Sequence, residues 1–364
     1  MRTISVGAGE SRYNIHIARN FSGLSEAFAQ AGLLGRKVAI ICDEHVAVLY
    51  LEQVRELASQ FAESCVELVI CSGESAKSIS TLTDIYGFLI DNGFQRDSVL
   101  VTLGGSVVSD VVGFAAATYM RGIPHVIIPT TLLAQCDGSI GGKTGIDIGA
   151  HKNVVGAFSP PRFVYSNVST LRTLPPREFA SGMAEVIKHG LIKDAAYLEW
   201  LTNNAENIYY KERDTFEELV AWSCEIKAGV VEQDEHERKG IREILNFGHT
   251  IGHSIEGLME YSLTHGECVS LGMMGELRLS AVLGSISVEE ISLIEVLLQD
   301  FGLPTNIANI GLSPDDIYNH MLSDKKVRNN TLRVVVLNKI GEAAVVTPTR
   351  EQVLQALSIE RSGD

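Results

Sequence analysis

Short apolar runs alternate with helically spaced stretches through the first half of the chain. Lys37–Cys42 (KVAIIC), Val66–Cys71 (VELVIC) and Ser98–Leu103 (SVLVTL) are Val- and Ile-rich runs of the kind that forms buried strands. His125–Pro129 (HVIIP) and Phe163–Ser166 (FVYS) are further strand candidates. Val46–Ala62, Ser80–Asn92 and Val107–Met120 have helical spacing between them. Strands separated by helices predict a parallel sheet with helices on its faces.

From about Pro175 the pattern turns mostly helical. The expected helices are Arg177–Ile192, Ala196–Asn203, Thr215–Gln233, Ile241–Met259, Val269–Leu283, Val288–Phe301 and Pro314–Leu322. Thr215-Phe-Glu-Glu218 and Ser287-Val-Glu-Glu290 fit a capping box, in which hydroxyl and carboxylate satisfy free N–H groups at a helix start. Pro314 suits a first turn, where its missing N–H costs nothing. Leu332–Leu337 and Ala343–Val346 could pair as a small hairpin. The change of pattern near 170–176, between two Pro-Pro pairs, predicts an α/β domain over 1–172 and a mostly α-helical one over 173–364.

With 364 residues, 45% of them hydrophobic, the chain can fill two cores. Its net charge of −15 argues against a nucleic-acid or membrane-surface binder. An anionic small molecule remains admissible, because a local basic pocket can outweigh a distant acidic surface. The six cysteines show no CxxC spacing and read as reduced, mostly buried small residues. The N-terminal stretch lacks an apolar leader run, and no stretch reads as a span of roughly 20 apolar residues. The cytoplasm is the expected compartment.

Three strands run into polar or glycine-bearing turns. Asp43 follows the first, Gly73-Glu74-Ser75-Ala76-Lys77 the second, and Gly104-Gly105-Ser106 the third. Glycines at a strand-to-helix turn let backbone N–H groups approach a phosphate, and the helix start adds partial positive charge. The order is not that of the GxGxxG fingerprint, and three ordinary surface turns would look the same.

His249-Thr-Ile-Gly-His253 puts two imidazoles on one helix face, and His265 follows. Glu185 sits in the apolar stretch Gly182-Met-Ala-Glu-Val-Ile, where a carboxylate wants a partner. One Glu with two His would suit an open, zinc-type catalytic site. A pair of surface histidines is the plain alternative. Lys143, Lys152, Lys188, Lys227, Arg121, Arg242 and Lys325-Lys326 stand beside glycine, asparagine or apolar residues. Arg242 precedes His249 by two helical turns, on a similar face if one helix spans both. Arginine suits bidentate carboxylate binding and lysine suits phosphate.

Together these pieces resemble the 3-dehydroquinate synthase family of sugar-phosphate cyclases. Gly113–Gly156 (GFAAATYMRGIPHVIIPTTLLAQCDGSIGGKTGIDIGAHKNVVG) is the strongest stretch, followed by Leu174–Asp194 and by Leu245–Glu256 with His265-Gly266-Glu267. Asp324-Lys325-Lys326 closes the set, and the resemblance runs from about residue 37 to 346. It implies a Rossmann-like nucleotide site in the first domain and an active site in the cleft between the two. The implied metal ligands are Glu185, His249 and His265, with His253 assigned to a substrate phosphate. Lys143, Arg242 and Asn246 match positions around the substrate carboxylate. Asp137, Lys188 and Lys227 match positions around the reacting hydroxyls, and Asn153 and Lys326 the phosphate side. Arg121 matches an arginine that crosses the family's dimer interface. Asp43, Glu74, Lys77, Gly104, Gly105, Ser106, Asp110, Thr130, Thr131, Lys143, Lys152 and Thr173 match cofactor-contacting positions.

The resemblance further implies a cytoplasmic homodimeric lyase of the shikimate pathway using NAD and Zn²⁺ or Co²⁺. Such an enzyme converts 3-deoxy-arabino-heptulosonate 7-phosphate (DAHP) to 3-dehydroquinate and phosphate. Transient oxidation, phosphate elimination, re-reduction and an intramolecular aldol closure make up the reaction. A related cyclase of secondary metabolism and a non-catalytic NAD- or metal-binding relative are the alternatives. Asn246 and His253 take the dehydroquinate form, whereas the deoxy-inosose branch has Glu at the first position and the valiolone branch lacks His at the second. Ser106 and Ser109 replace two usual glycines, Gly138 stands where Ser is usual, Asp147 replaces Asn, and His151 replaces Gly.

Overall fold

The computed structural model describes every residue except 8, 150, 211, 261, 324–331 and 359–364. Two compact units form. The first joins Met1–Leu174 to Phe216–His236, and the second joins Pro175–Thr215 to the described residues from Glu237 onward. The segment 216–236 therefore packs with the first unit, although its helical pattern groups it with the second half in sequence. Its contacts explain this: Arg2 bridges Glu218 at 3.0 Å and Glu225 at 2.8 Å, and the Cys224 thiol donates to the Gln135 carbonyl at 3.3 Å.

The first unit is built on β1 (Arg2–Val6), β2 (Tyr13–Ala18), β3 (Lys37–Asp43), β4 (Ser64–Ile70), β5 (Val99–Gly104) and β6 (His125–Pro129). A hairpin of β7 (Lys143–Ile148) and β8 (His151–Phe158) precedes β9 (Phe163–Asn167). The seven-stranded sheet runs β1-β2-β9-β6-β5-β3-β4, with only the β1–β2 pair antiparallel. Alternation within β3 shows the double-sided burial. Val38, Ile40 and Cys42 face one apolar cluster, while Ala39 and Ile41 face another that includes Val108, Val111 and Val112. A central parallel strand covered on both faces needs such an unbroken apolar run.

Where the pattern and the structure differ, a physical reason is visible. β4 is an edge strand, so Val69 is left exposed rather than buried. The β7–β8 hairpin was not expected, because its apolar residues (Ile146, Ile148, Val154, Val155) are interrupted by glycine and charged or polar residues and form no continuous apolar run. Gly145 and Gly156 face each other across it, and a Cβ on Gly156 would lie 2.2 Å from the Thr144 carbonyl oxygen. β1 and β2 were likewise not expected.

The second unit is mainly helical, with helices Pro176–Lys193, His249–Leu258, His265–Val282, Val288–Asp300 and Pro314–Ser323 among its elements. The hairpin strands β10 (Val334–Lys339) and β11 (Glu342–Val346) pair as the pattern suggests. Ser287 and Glu290 form the expected capping box. Thr215 does not cap, since its helix already begins at Arg213. Thr264 and Glu267 form a box that was not anticipated, at the start of the His265 helix. The expected continuous helix Ile241–Met259 is broken: a 3₁₀ turn covers Ile241–Asn246, and Gly248 adopts φ 79° before the α-helix starts at His249. Arg242 is therefore not two turns back on the His249 helix. All six cysteines are free, and Cys42, Cys136, Cys224 and Cys268 are buried. No described helix is long and apolar enough to cross a membrane.

Candidate active site

In the first unit the carboxyl ends of the parallel strands gather one residue set. Asp43 ends β3, and its Oδ1 accepts the N–H groups of His45 and Val46 at 2.9 and 3.0 Å. Gly104 ends β5 beside it: a Cβ there would come 3.3 Å from Asp43 Oδ2 and 3.0 Å from Val108. A Cβ on Gly105 would lie 3.3 Å from Thr131, and the Thr130 N–H donates to the Gly104 carbonyl at 3.0 Å. Gly105 then caps the helix Ser106–Thr118 without a side chain. The turn thus presents bare backbone and a helix N-terminus, which suits a phosphate group.

A buried cation stands near the same helix. Lys77 is 4% exposed, and its Nζ donates to Asp110 Oδ2 at 2.8 Å and Asn153 Oδ1 at 2.5 Å. Glu74 lies 3.7 Å from Lys77 and 3.4 Å from Lys152. Burial alone would lower the Lys77 pKa, but the carboxylates of Asp110 and Glu74 outweigh it and hold the ammonium charged. Asn153 adopts φ 49°, with its N–H held by Asp147 at 2.6 Å. Lys227 forms a separate pair with Asp137, at 2.7 Å to Oδ1 and 2.6 Å to the carbonyl.

In the second unit three helices aim ligands at one point. Glu185 is fully buried, and its Oε1 lies 3.2 Å from His249 Nε2 and 3.2 Å from His265 Nε2. Its other oxygen pairs with Lys188, whose ammonium also donates to the Leu245 carbonyl at 2.9 Å. Burial would raise the Glu185 pKa, yet Lys188 and His249 hold it well below the ordinary range. The His249 Nδ1 faces the Phe247 carbonyl at 3.1 Å, which leaves Nε2 for the centre. For bonds of about 2.0–2.1 Å at tetrahedral angles, ligand atoms sit roughly 3.3 Å apart, so this donor set fits a divalent ion. His253 stays outside that triplet. It belongs to a second cluster with Glu256 and His265, and its ring lies 5.2 Å from that of His249. Arg242 is buried in the 3₁₀ turn that ends at Asn246.

Thr173 bonds the Tyr50 hydroxyl. Arg121 is exposed, in a turn where it and Met120 have positive φ. Lys143 is exposed at the start of β7. Lys325 and Lys326 lie outside the described residues.

Family models for the 3-dehydroquinate synthase N-terminal and C-terminal regions match residues 67–181 and 182–327. A 3-dehydroquinate synthase of Pelobacter propionicus is 44% identical, with 99% of this chain and 100% of the relative covered. One of Acetivibrio thermocellus is 42% identical, with 98% of each covered. The chain belongs to the 3-dehydroquinate synthase family. The fold is shared with 2-epi-5-epi-valiolone synthase from Streptomyces hygroscopicus, solved with NAD⁺ and Zn²⁺ bound (26% identity, TM-score 0.87, 98% of each chain). It is shared too with a 2-deoxy-scyllo-inosose synthase complexed with carbaglucose-6-phosphate, NAD⁺ and Co²⁺ (24% identity, TM-score 0.87, covering 98% and 99%).

Within this 3-dehydroquinate synthase family member, two departures noted in the sequence turn out to touch. A Cβ on Gly138 would lie 2.5 Å from Ser106 Oγ and 3.1 Å from Ser106 Cβ. The hydroxyl at 106 occupies the space a side chain at 138 would need, so glycine at one position accommodates serine at the other. Gly138→Ala is expected to lower stability by about 1–2 kcal/mol, and Ser106→Gly in the same chain to recover most of it. Thermal unfolding of the two single variants and the double variant measures this; additive effects would refute the contact. Sequence reasoning passed over Glu256, which follows His253 by three residues and so shares its helix face. That spacing was available as a signal.

Proposed function

We propose that the protein is a 3-dehydroquinate synthase, converting DAHP to 3-dehydroquinate and phosphate with NAD and a divalent metal ion. The observation that carries this reading is the convergence of Glu185 Oε1 with two imidazole Nε2 atoms beside the buried Lys188. Glu185, His249 and His265 would hold the ion; the Gly104-Gly105 turn, Asp43, Lys77 and Asp110 would hold the dinucleotide. When bound, these groups supply a hydride acceptor and polarisation of a substrate oxygen.

The chain's own residues do the rest. Arg242, with a planar fork of donors, grips the substrate carboxylate, and Asn246 supports it. His253 and Lys326 take the phosphate end, with Asn153. The Asp137–Lys227 pair orients a substrate hydroxyl, with the carboxylate held in place by the ammonium on its Oδ1 at 2.7 Å. Lys188 keeps Glu185 ionised, as a metal-binding carboxylate must be. Fixed charges placed beforehand stabilise developing oxyanions without reorganisation. The working form we propose is a cytoplasmic homodimer in which Arg121 serves the partner subunit. Zinc is the ion proposed for the cell, with cobalt as substitute.

The direct test incubates the protein with DAHP, NAD and Zn²⁺. Phosphate release with no net accumulation of NADH is the expected result, because the hydride returns to the substrate. Sustained NADH formation would instead indicate a polyol dehydrogenase. Tight NAD binding with no phosphate release would indicate a non-catalytic relative. Arg242→Ala is expected to raise KM for DAHP by about 10–100-fold, through loss of roughly 1.5–3 kcal/mol of charge-assisted bonding, with NAD affinity unchanged. Isothermal titration with NAD and steady-state kinetics check the two halves separately.

A further inference from the structure

His249 is the first residue of its helix, so its ring direction depends on how that helix begins. The residue before it, Gly248, has φ 79° and ψ −13° and offers no capping side chain. Its N–H instead donates to Glu276 Oε2 at 2.6 Å. Glu276 is fully buried in the middle of the helix that starts at His265. Thus one helix carries both a ligand, His265, and the acceptor that holds the start of the helix bearing the other histidine. The separation of eleven residues is close to three full turns, which puts the two side chains on one face.

Close backbone packing makes that start sensitive to position. A Cβ on Gly272 would lie 1.9 Å from the Gly248 carbonyl oxygen, and one on Gly252 would lie 2.8 Å from the Cys268 carbonyl oxygen. At Gly248, Gly252 and Gly272 the two helices touch main chain to main chain, so a shift there has no flexible side chain to absorb it. The first N–H groups of a helix need acceptors, and a carboxylate there also complements the helix dipole.

We propose that Glu276 is a positioning residue for the metal centre: its carboxylate oxygen sets where the His249 helix begins and so keeps His249 Nε2 in register with Glu185 and His265. This rests on the reading of Glu185, His249 and His265 as metal ligands. Such supporting contacts characteristically set metal affinity by about 10–100-fold.

The test compares Glu276→Asp with Glu276→Gln in the full chain. Aspartate keeps the charge but withdraws the oxygen by one methylene; glutamine keeps an acceptor oxygen at the same reach. Co²⁺ affinity, measured by competition with a chelator, is expected to weaken about 10–100-fold in the aspartate variant and to stay within about threefold in the glutamine variant. The visible cobalt absorption should change in the first only. Wild-type affinity and spectrum in both variants would overturn the proposal. Equal losses would overturn it too, since glutamine keeps an acceptor oxygen at the same reach and the effect would then not follow the oxygen's position; a loss confined to the glutamine variant would tie it to charge and overturn it as well.

A reading that needs no variant is amide hydrogen exchange at Gly248 in the wild-type protein. If the bond favours the metal, the metal favours the bond, and Zn²⁺ must slow that exchange; an unchanged rate overturns the proposal even if a variant does not fold. His249→Ala separates the two readings. If it retains the ion, the ligand assignment has failed; if it loses the ion while Glu276→Asp does not, the role of Glu276 has failed.

Discussion

His265→Ala should yield a protein that folds but does not retain its divalent ion, with phosphate release from DAHP down by roughly a thousandfold or more. The magnitude follows from losing several kcal/mol of charge stabilisation at about 1.4 kcal/mol per tenfold in rate. The structural reason is that three donors converge at this point among the described residues: Glu185 Oε1 and the Nε2 atoms of His249 and His265, with each nitrogen 3.2 Å from the oxygen. Removing one leaves a two-donor site beside the Lys188 ammonium, which repels a cation. The His265 ring is also the link to the second cluster with Glu256 and His253, so its loss loosens both. Metal analysis after gel filtration checks the first half of the prediction, and phosphate release checks the second. Full metal content in the variant would remove His265 from the ligand set. Circular dichroism guards against simple unfolding.

Gly272→Ala should strongly destabilise the second unit. The added carbon would meet main-chain atoms, the Gly248 oxygen at 1.9 Å and the Gly252 nitrogen at 2.7 Å, which cannot rotate aside. The His249 and His265 helices must then part, taking with them the apolar contacts of Ile251, Ile255 and Leu271. We expect a loss of about 3 kcal/mol or more in stability, beyond the usual cost of overpacking because the obstacle is backbone. Metal affinity should fall with it, since the two imidazoles move apart. Gly229→Ala is the matched control: it lies in a helix of the first unit, and a Cβ there meets nothing within 4 Å. It should be neutral or stabilising by up to about 1 kcal/mol, because alanine favours a helix over glycine. Denaturant unfolding of both variants measures the contrast, and similar losses in the two would refute the packing argument.

Much of the central sheet was legible because burial on both faces writes a local signal. β3, β5, β6 and β9 each appear as short apolar runs, matched within one or two residues. β7 and β8 left no such signal. Their glycines serve close strand contact, and Asn153 and Lys152 pair with Lys77 and Glu74, so the few apolar residues between them make no continuous run. The helix break at Gly248 was hidden for another reason. Glycine in a helical pattern is tolerated, and only the close approach of Gly272 and the acceptor on Glu276 make the left-handed turn favourable there. Thr215 shows the converse: a good capping sequence was overridden because the helix gained another half-turn upstream.

Periodicity and motif order are properties of neighbouring residues, and they were enough to give the α/β first half, the helical second half and the family to which the chain belongs. They also supplied the residue types: an isolated carboxylate in an apolar stretch, two histidines one turn apart and a third further on. Which of those histidines meets the carboxylate could not be read from spacing, since Glu185, His249 and His265 lie on three different helices. Packing decided it. Glycines let the His249 and His265 helices touch, and Gly266, whose Cβ would lie 2.2 Å from the Ser181 oxygen, does the same between the His265 and Glu185 helices. Convergence of distant residues is set by how closely backbones can approach, and that is a property of pairs of elements, written in neither one alone.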